Sequence, residues 1–380
     1  MYLPIIYIDQ QSYNNLSKYD LGILSNLNNS KVTYVCSKLI DQRVPKNIKI
    51  EKTFSYNTKK NQLLKAAFYV ISMLRTLLLV LRQKKGIVHL QWSKAQIIDY
   101  LFVKIIKTLT RNKVIFTAHN AVPHNKEQSK HKWLGFLYRT VDAMIVHTES
   151  TKDKIKKRFN VSSNQIHVFK HGLINLEKGN SSHKKAITDF CDHDGITFCF
   201  FGIGSKYKGL DTLFNAWQKV ANSEDFSGRL LVVGKIEKSL RDKLNPIIQK
   251  HSSNILVIDK FVPEGDLYNA VISSDVIVFP YHEISQSGAL LSVIGLRKPI
   301  IVSNLPGLTE PFDIADIGWK FKDGANDLAH IIKKLIRHPD MVHKINSNQE
   351  VWKKIEKYYS WETISKKHEQ LYIQLYEYNS

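Results

Sequence analysis

The chain has 380 residues, of which 43% are hydrophobic and 11% aromatic, so it can build two compact domains. This composition excludes a disordered chain, a collagen-like repeat and a small disulfide-stabilised scaffold. The three cysteines are too few and too scattered for a disulfide framework or a cysteine zinc site, and they favour a reducing cytoplasm.

The positive charge lies almost entirely in the first half of the chain. The formal net charge is +21, and residues 1–172 alone contribute +20, with 29 Lys and Arg against 9 Asp and Glu. A field of this sign attracts polyanions, which include nucleic acid, anionic lipid and phosphorylated substrates. A generally basic proteome would raise the charge of both halves, so the asymmetry favours a specific partner.

The sequence predicts a protein without a secretory leader or a spanning helix. The first apolar run is not preceded by basic residues. The longest apolar stretch, residues 66–81, is shorter than the ~20 residues needed to cross a bilayer, and it contains Arg75. We expect a buried or interfacial helix there and a cytoplasmic protein, peripheral on the inner face of the cell membrane. The basic, half-apolar helix predicted over residues 99–113 is compatible with an anionic membrane surface, although an ordinary solvated helix explains it as well.

Short apolar runs alternate with helical patterns along the chain. The predicted strands are Leu3–Ile8, Val32–Cys36, Ile87–Gln91, Val114–Ala118, Ala143–His147, Ile166–Lys170, Ile196–Phe201, Leu230–Gly234, Asn254–Ile258, Asp275–Pro280 and Pro299–Ser303. Helices are predicted over Asn61–Leu81, Ala95–Leu109, Leu210–Ala221, Ser239–His251, Ala325–Arg337 and Val351–Tyr376. Nearly continuous apolar strands separated by helices indicate parallel sheets covered on both faces. The alternation of strands and helices occurs once in each half of the chain, which predicts two doubly wound α/β domains.

The predicted domains are residues 1–174 and 195–350, joined by a polar linker at 175–194. Residues 351–380 form a terminal helix that follows the second sheet. Ligands of open parallel sheets bind beyond the carboxyl ends of the strands, so we expect a site in a central cleft between the domains.

Two loops of the second domain follow strands and open helices. The first contains Gly202, Gly204, Ser205, Lys206 and Lys208, whose glycines and lysines suit a phosphate. In the second, a helix start would present amides and hydroxyls to an anion; its residues are Ser285, Gln286, Ser287, Gly288 and Ala289. A glycine-rich turn with solvated lysines and an N-capped helix explain the two loops about as well.

The first domain places polar side chains at several strand ends. His119 and Asn120 follow one strand, His89 and Trp92 lie near the end of another, and His171 closes the last. An imidazole in this position suits a sugar hydroxyl or a developing charge, although a lone strand-end histidine is more often structural. The spacings are long and no carboxylate cluster joins them, so we expect no metal site.

These segments resemble the GT-B glycosyltransferases of family 4 over nearly the whole chain. The resemblance rests on residues 200–210, 285–300 and 359–364, with 88–92 and 116–120 in the first half. It implies a GT-B fold of two Rossmann-like domains with a central cleft, in which the terminal helix returns to the N-terminal domain. It also implies a nucleotide-sugar in the second domain, an acceptor in the first, and transfer with retention and without a metal or cofactor. By the resemblance Lys208 contacts the diphosphate opposite amides near Ser287 and Gly288, and His119 approaches the transferred sugar.

The sequence departs from the family pattern around the second loop. Two glutamates usual in the family correspond to Ile284 and Ser292, and Glu283 stands one residue before the first of these positions. The basic residue usual in the first loop corresponds to Ser205, with Lys206 beside it. The resulting candidates are His119, Lys208 and Glu283 for catalysis, the residues of both loops with Ser292 for the donor, and His89, Trp92, Asn120 and His171 on the acceptor side.

The expected activity is transfer of a sugar from a nucleotide diphosphate sugar, a UDP-sugar before a GDP-sugar. The expected acceptor is a glycan or a polyprenyl-diphosphate-linked sugar at the cytoplasmic membrane face. A nucleotide-sugar epimerase on the same fold is one alternative. A catalytically silent homologue that binds nucleic acid or a protein partner is another, although no nucleic-acid-binding motif is present.

Overall fold

The computed structural model describes residues 2–13, 16–120, 131–223, 226–284 and 286–377. The chain divides into two compact units. Unit 1 comprises Met1–Gly172 and Tyr359–Ser380, and unit 2 comprises Leu173–Tyr358. The chain therefore leaves unit 1 once and returns to it once.

Unit 1 is built on a seven-stranded parallel sheet. Its strands are β1 (Leu3–Ile8), β2 (Ser30–Ser37), β3 (Lys49–Phe54), β4 (Ile87–Leu90), β5 (Lys113–Thr117), β6 (Ala143–Val146) and β7 (Ile166–Val168). The strand order is β3-β2-β1-β4-β5-β6-β7, and every pair is parallel. Its helices are α1 (Leu16–Leu24), α2 (Gln62–Arg82), α3 (Gln96–Leu109), α4 (Lys132–Thr140) and α5 (Glu149–Phe159).

Unit 2 repeats the architecture with six parallel strands in the order β10-β9-β8-β11-β12-β13. They are β8 (Thr197–Phe201), β9 (Arg229–Val233), β10 (Ile255–Ile258), β11 (Val276–Phe279), β12 (Ile300–Ser303) and β13 (Gly318–Phe321). Its helices are α6 (Lys184–Cys191), α7 (Leu210–Val220), α8 (Lys238–Lys250), α9 (Glu264–Ser273), α10 (Gly288–Gly295), α11 (Pro306–Thr309), α12 (Gly324–Arg337), α13 (Asp340–Ser347) and α14 (Gln349–Tyr358). Two doubly wound sheets were predicted, and the fold confirms them.

Each sheet has one point at which the strand order reverses. In unit 1 this point lies between β1 and β4, and in unit 2 it lies between β8 and β11. The loops that follow these neighbouring strands diverge to opposite faces of the sheet and leave a crevice at their carboxyl ends, where ligands of this fold class bind. The core packs on both faces of sheet 1, with α2 to α5 on one face and α1 on the other.

The stretch predicted as a linker, residues 175–194, belongs to unit 2 and contains α6. Asp266 at the start of α9 anchors it by accepting hydrogen bonds from the backbone nitrogen of His183 at 2.9 Å and from its ring Nδ1 at 2.8 Å. The Ser181 hydroxyl donates to the same carboxylate. The polar character of the stretch thus reflects side chains that fix it to α9.

The long terminal helix predicted over 351–376 is two helices, α14 and α15 (Trp361–Glu377). They separate at Ser360, whose hydroxyl oxygen accepts from the backbone nitrogen of Thr363 at 3.2 Å and caps the second helix. Only the second returns to unit 1, where it packs on α1, so the return begins at Tyr359 rather than at residue 351.

Candidate functional site

Two loops meet at the reversal point of sheet 2. The first runs from Gly202 at the end of β8 through a single turn at 206–208 to α7, and the second runs from Pro280 at the end of β11 to α10. The backbone nitrogen of His282 donates to the carbonyl oxygen of Tyr207 at 2.8 Å, which ties the loops together. Gly209 has φ +63°, and a Cβ there would lie 1.8 Å from the carbonyl oxygen of Pro280. Only glycine allows this close backbone approach.

Lys208 and Ser287 both contact the side chain of Tyr281. The Lys208 ammonium lies 5.8 Å from the centre of the Tyr281 ring, and Ser287 is close enough to the Tyr281 hydroxyl to lower its pKa against the larger effect of burial. Tyr281 is buried, and burial raises the pKa of its hydroxyl above the usual value. The two residues predicted to grip a diphosphate are therefore brought to one place, on a tyrosine that the sequence analysis missed.

Lys208 has the properties of an anion-binding lysine. Burial lowers the pKa of its ammonium, and this desolvation is the cause of the shift. The ammonium nitrogen lies against Gly202, where a Cβ would stand 3.1 Å away. A phosphate beside Lys208 would replace the lost hydration and raise this pKa again.

The glycine amides of the first loop are already used within the protein. The backbone nitrogen atoms of Gly202, Gly204 and Lys208 donate to the carbonyl oxygens of residues 233, 235 and 205 at 2.9, 2.8 and 3.0 Å. These three amides are therefore satisfied within the protein, and the binding of a phosphate by this loop stays a prediction. Ser205 is the second candidate there, because its buried hydroxyl has no hydrogen-bond partner among the described residues. Lys206 is exposed beside it.

The second loop supplies a helix N-terminus. Ser287 is 5% exposed and caps α10, since its hydroxyl oxygen accepts from the backbone nitrogen of Leu290 at 3.2 Å. The amides of Gly288 and Ala289 precede the first intrahelical hydrogen bond and carry the positive end of the helix dipole. Ser292 instead donates its hydroxyl to the Gly288 carbonyl at 3.1 Å inside the helix.

The remaining candidates of the second loop differ in exposure. Glu283 is exposed and Gln286 is half-buried. Ser285 lies outside the described residues. The roles of these three residues stay predictions.

Unit 1 has a pocket of about 240 Å³ at the carboxyl ends of β4 and β5. Trp92, Lys94, His119 and Asn120 line it, with an apolar side that includes Leu134. The rings of Trp92 and His119 stack with centroids 4.2 Å apart and planes inclined by 16°. Three of the sequence-predicted candidates thus share one cavity.

A chain of hydrogen bonds runs behind this pocket. His147 Nδ1 lies 2.9 Å from the carbonyl oxygen of Phe169, and His147 Nε2 lies 3.2 Å from His119 Nδ1. His119 Nε2 lies 3.1 Å from one end of the Gln91 amide, and the other end lies 3.0 Å from His89 Nε2. Gln91 and His147 were not predicted, because nothing in their spacing distinguishes them from other strand-end residues.

Protonation fixes the direction of this chain. Burial lowers the pKa of His147 to about 3 and holds the pKa of His119 well below its usual range, so both rings are neutral near pH 7. A carbonyl oxygen only accepts, so His147 donates through Nδ1 to Phe169 and accepts at Nε2 from Nδ1 of His119. The lone pair on His119 Nε2 then requires the amide NH₂ of Gln91 rather than its oxygen. Both orientations of the Gln91 amide fill the same space, and the hydrogen bonds to the neutral histidines select the one with the NH₂ group toward His119.

Both ring nitrogens of His119 are therefore bonded inside the protein. His119 still lines the pocket, next to Trp92 and Asn120. The predicted contact of His119 with a transferred sugar stays a prediction, and it would require the Gln91 amide to exchange partners.

The other two acceptor-side candidates lie in the interior of unit 1. His89 is fully buried and bonds the hydroxyls of Tyr372 and Thr117 at 2.7 and 2.8 Å. His171 Nδ1 lies 2.7 Å from the carbonyl oxygen of Gly172, and its ring packs on Trp361 of α15. The structure gives both histidines interior contacts and does not place them among the pocket-lining residues.

Known folds and families agree with this architecture. Residues 195–338 match the family described as Glycosyl transferases group 1, and residues 31–174 match Glycosyltransferase Family 4. A sucrose-phosphate synthase from Thermosynechococcus elongatus is similar, with TM-score 0.71, 15% identity, and coverage of 98% of this chain and 99% of that one. Anabaena HepE in complex with UDP and glucose is also similar, with TM-score 0.69, 12% identity, and coverage of 98% of this chain and 100% of that one. WaaG, a glycosyltransferase involved in lipopolysaccharide biosynthesis, has TM-score 0.64 and 11% identity, and the match covers 97% of this chain and 99% of that one. A comparison with curated protein sequences finds no match.

The fold and the two family matches define a glycosyltransferase of the GT-B type. The chain belongs to the group that unites a Family 4 N-terminal domain with a group 1 C-terminal domain, as the sequence resemblance predicted.

Proposed function

We propose that this glycosyltransferase moves a sugar from a UDP-sugar, with retention and without a metal or cofactor, to a glycan or polyprenyl-diphosphate-linked acceptor. The observation that carries the donor assignment is the contact of Lys208 and Ser287 with one tyrosine ring at the reversal point of sheet 2. A UDP donor is supported by HepE, whose structures hold UDP and UDP-glucose.

The reaction breaks the bond between the anomeric carbon and the diphosphate oxygen. Negative charge then develops on the leaving diphosphate, where Lys208 and the N-terminus of α10 would stabilise it in a fixed arrangement. The acceptor oxygen forms the new bond on the same face of the sugar, and its proton passes to the departing phosphate oxygen. Glu283 and Lys206 are the further candidates for donor contacts.

The acceptor is assigned to the unit 1 pocket at Trp92, His119 and Asn120. The charge of +20 over residues 1–172 supports an anionic acceptor, such as a lipid-linked diphosphate at the inner membrane face. The similarity to WaaG, which takes part in lipopolysaccharide biosynthesis, supports an acceptor of the same kind.

The test begins with donor binding. Thermal shift with UDP, GDP, ADP and their sugar conjugates should show the largest stabilisation with UDP or a UDP-sugar. Lys208→Ala should lower sugar transfer by about 10²-fold or more, because the leaving-group charge loses its cation. Lys238→Ala, an exposed lysine at the start of α8, is the matched control. Undiminished turnover in Lys208→Ala would remove that residue from the mechanism.

Product analysis separates transfer from epimerisation. Without acceptor, a transferase leaves the donor intact or hydrolyses it slowly, whereas an epimerase converts it to the isomeric nucleotide-sugar. The anomeric configuration of the product, read by NMR, tests retention, and activity after chelation tests independence from metal.

A further inference from the structure

Helix α2 turns its polar side chains inward. Its buried residues include Tyr69, Ser72 and Thr76. The Ser72 hydroxyl donates to the carbonyl oxygens of Phe68 and Thr53 at 2.7 and 3.0 Å, and the Thr76 hydroxyl donates to the Ser72 carbonyl at 2.8 Å. Tyr69 donates to the carboxylate of Asp99 on α3. The hydroxyl-bearing face of the helix is therefore the one that packs on the domain.

The opposite face of α2 is exposed and mostly aliphatic, with the exposed Arg75 beside it, four residues after Ile71. Its large side chains are Leu63 (80% exposed), Leu64 (50%), Val70 (38%), Ile71 (44%), Leu74 (55%) and Leu78 (60%). Leu63 and Leu64 lie seven residues before Val70 and Ile71, and Leu74 and Leu78 follow Ile71 at intervals of three and four residues, so these side chains share one face of the 21-residue helix. An exposed apolar stripe of this length marks an interaction surface rather than a solvated one.

Length and composition alone would let α2 cross a bilayer, and among the described residues it is the one helix that meets this test. The apolar stretch read from the sequence stopped short of this length, because the helix extends to both Gln62 and Arg82. Crossing would remove Tyr69, Ser72 and Thr76 from their partners in unit 1, so a position in the plane of a surface fits the contacts.

Cations surround the stripe. No Asp or Glu occurs between Glu51 and Asp99, whereas residues 52–98 contain nine Lys and Arg. Lys59 and Lys60 precede α2, and Lys84 and Lys85 follow it. A second copy of this chain would bring two such cationic surfaces together, which is unfavourable, whereas an anionic bilayer complements both the charge and the apolar stripe.

We propose that α2 lies in the plane of an anionic phospholipid bilayer, with the Leu63–Leu78 stripe inserted at the boundary of headgroups and acyl chains. The flanking lysines then contact the headgroups. This inference names the surface by which the protein reaches the membrane assumed in the proposed function. The helices α2 and α3 both begin at the carboxyl edge of sheet 1, which is the edge that holds the Trp92 and His119 pocket.

Vesicle flotation tests the docking without any sugar donor. Vesicles of 30% phosphatidylglycerol in phosphatidylcholine are compared with phosphatidylcholine alone, from low salt to 0.5 M NaCl. The doubly substituted Leu74→Gln and Leu78→Gln variant should bind the anionic vesicles at least 10-fold more weakly than the parent. Ile71→Gln should also bind more weakly, whereas Ile272→Gln, of the same residue type and 41% exposed on α9 of unit 2, should bind as the parent does.

Three results would overturn the proposal. They are unchanged vesicle binding by the double variant, equal binding of the parent to neutral vesicles, and a parent dimer that the double variant converts to monomer without any vesicle binding. Circular dichroism and the thermal shift with UDP verify that each variant is folded. Because flotation involves no sugar transfer, a failure of docking and a failure of the proposed activity are seen in separate experiments.

Discussion

The buried histidines of unit 1 predict that this unit loses stability steeply in mild acid. Burial lowers the pKa of His147 to about 3 and the pKa values of His171 and His368 to about 4. Their unfolded-state pKa is ~6.5. The folded rings stay neutral while the unfolded ones take up protons, so the stability contribution is complete above pH 6.5 and is lost as the pH falls toward 4.

The magnitude follows from the width of that window. Between pH 7 and 5.5, each of the three rings costs about 1.2 kcal/mol of unfolding free energy, or about 4 kcal/mol together. Asp99 opposes this, because burial raises its pKa to about 6 and its protonation favours the folded state by about 0.8 kcal/mol over the same range. The raised pKa values of Asp9 and Asp20 act in the same direction as Asp99. His147, His171, His368 and Asp99 alone give a loss of about 3 kcal/mol, a large part of the stability of a typical domain. Burial also lowers the pKa values of His89 and His119, which adds to the loss and works against Asp9 and Asp20.

Hydrogen exchange read by mass spectrometry isolates unit 1, because peptides from β4, β5 and β6 report on its sheet alone. Their opening free energy should fall by about 3 kcal/mol between pH 7 and 5.5. His171→Gln should reduce the pH dependence of the opening free energy by the equivalent of about one proton. His338→Gln, at an exposed position in unit 2, should leave that pH dependence unchanged. A fall of less than 1 kcal/mol would refute the assignment of these rings as neutral in the folded state.

Two further substitutions test the backbone of the site and of the returning helix. Gly209→Ala should lower the unfolding temperature and abolish the thermal shift with UDP, because the new Cβ would collide with Pro280. The control Gly324→Ala, at φ +61° with nothing within 4 Å of its Cβ, should cost only about 1 kcal/mol of backbone strain. Equal effects of the two substitutions would contradict the steric argument. Ser360→Ala should destabilise unit 1 by about 1 kcal/mol in urea unfolding, because α15 loses its N-cap. Ser360→Asn should retain most of the parent stability, because asparagine is also a good N-cap residue. An unaltered urea midpoint in the alanine variant would show that the cap is dispensable.

The central strands of both sheets were predictable because burial on two faces makes them continuously apolar. The edge strands β3 and β13 were missed for the converse reason. Lys49–Phe54 has only two apolar residues, Ile50 and Phe54, among charged and polar ones, and Gly318–Phe321 is only partly buried, as suits strands paired on one side. Strand-end positions predicted that Lys208 and Ser287 lie on neighbouring loops, since parallel topology brings carboxyl ends together, and their roles stay predictions.

The partners of the site residues were not predictable. Gln91 and His119 are 28 residues apart in sequence, and His89 and Tyr372 are 283 apart, so only the packed sheet brings them together. The orientation of α2 could not be read either, because its hydrophobic pattern predicts the more apolar face as the buried one. In the structure the hydroxyls of Ser72 and Thr76 pack inward on the domain instead, together with Met73 and Val80.

The connectivity of the two units has a consequence for biosynthesis. Tyr372 of α15 is fully buried in unit 1, where its hydroxyl supports His89. The ribosome makes this tyrosine only after all of unit 2, so the N-terminal half waits for the last residues of the chain before its interior is complete. The nested unit 2 can finish folding first, and a nascent N-terminal half would meanwhile expose a cationic, aliphatic surface for which chaperones and membranes compete.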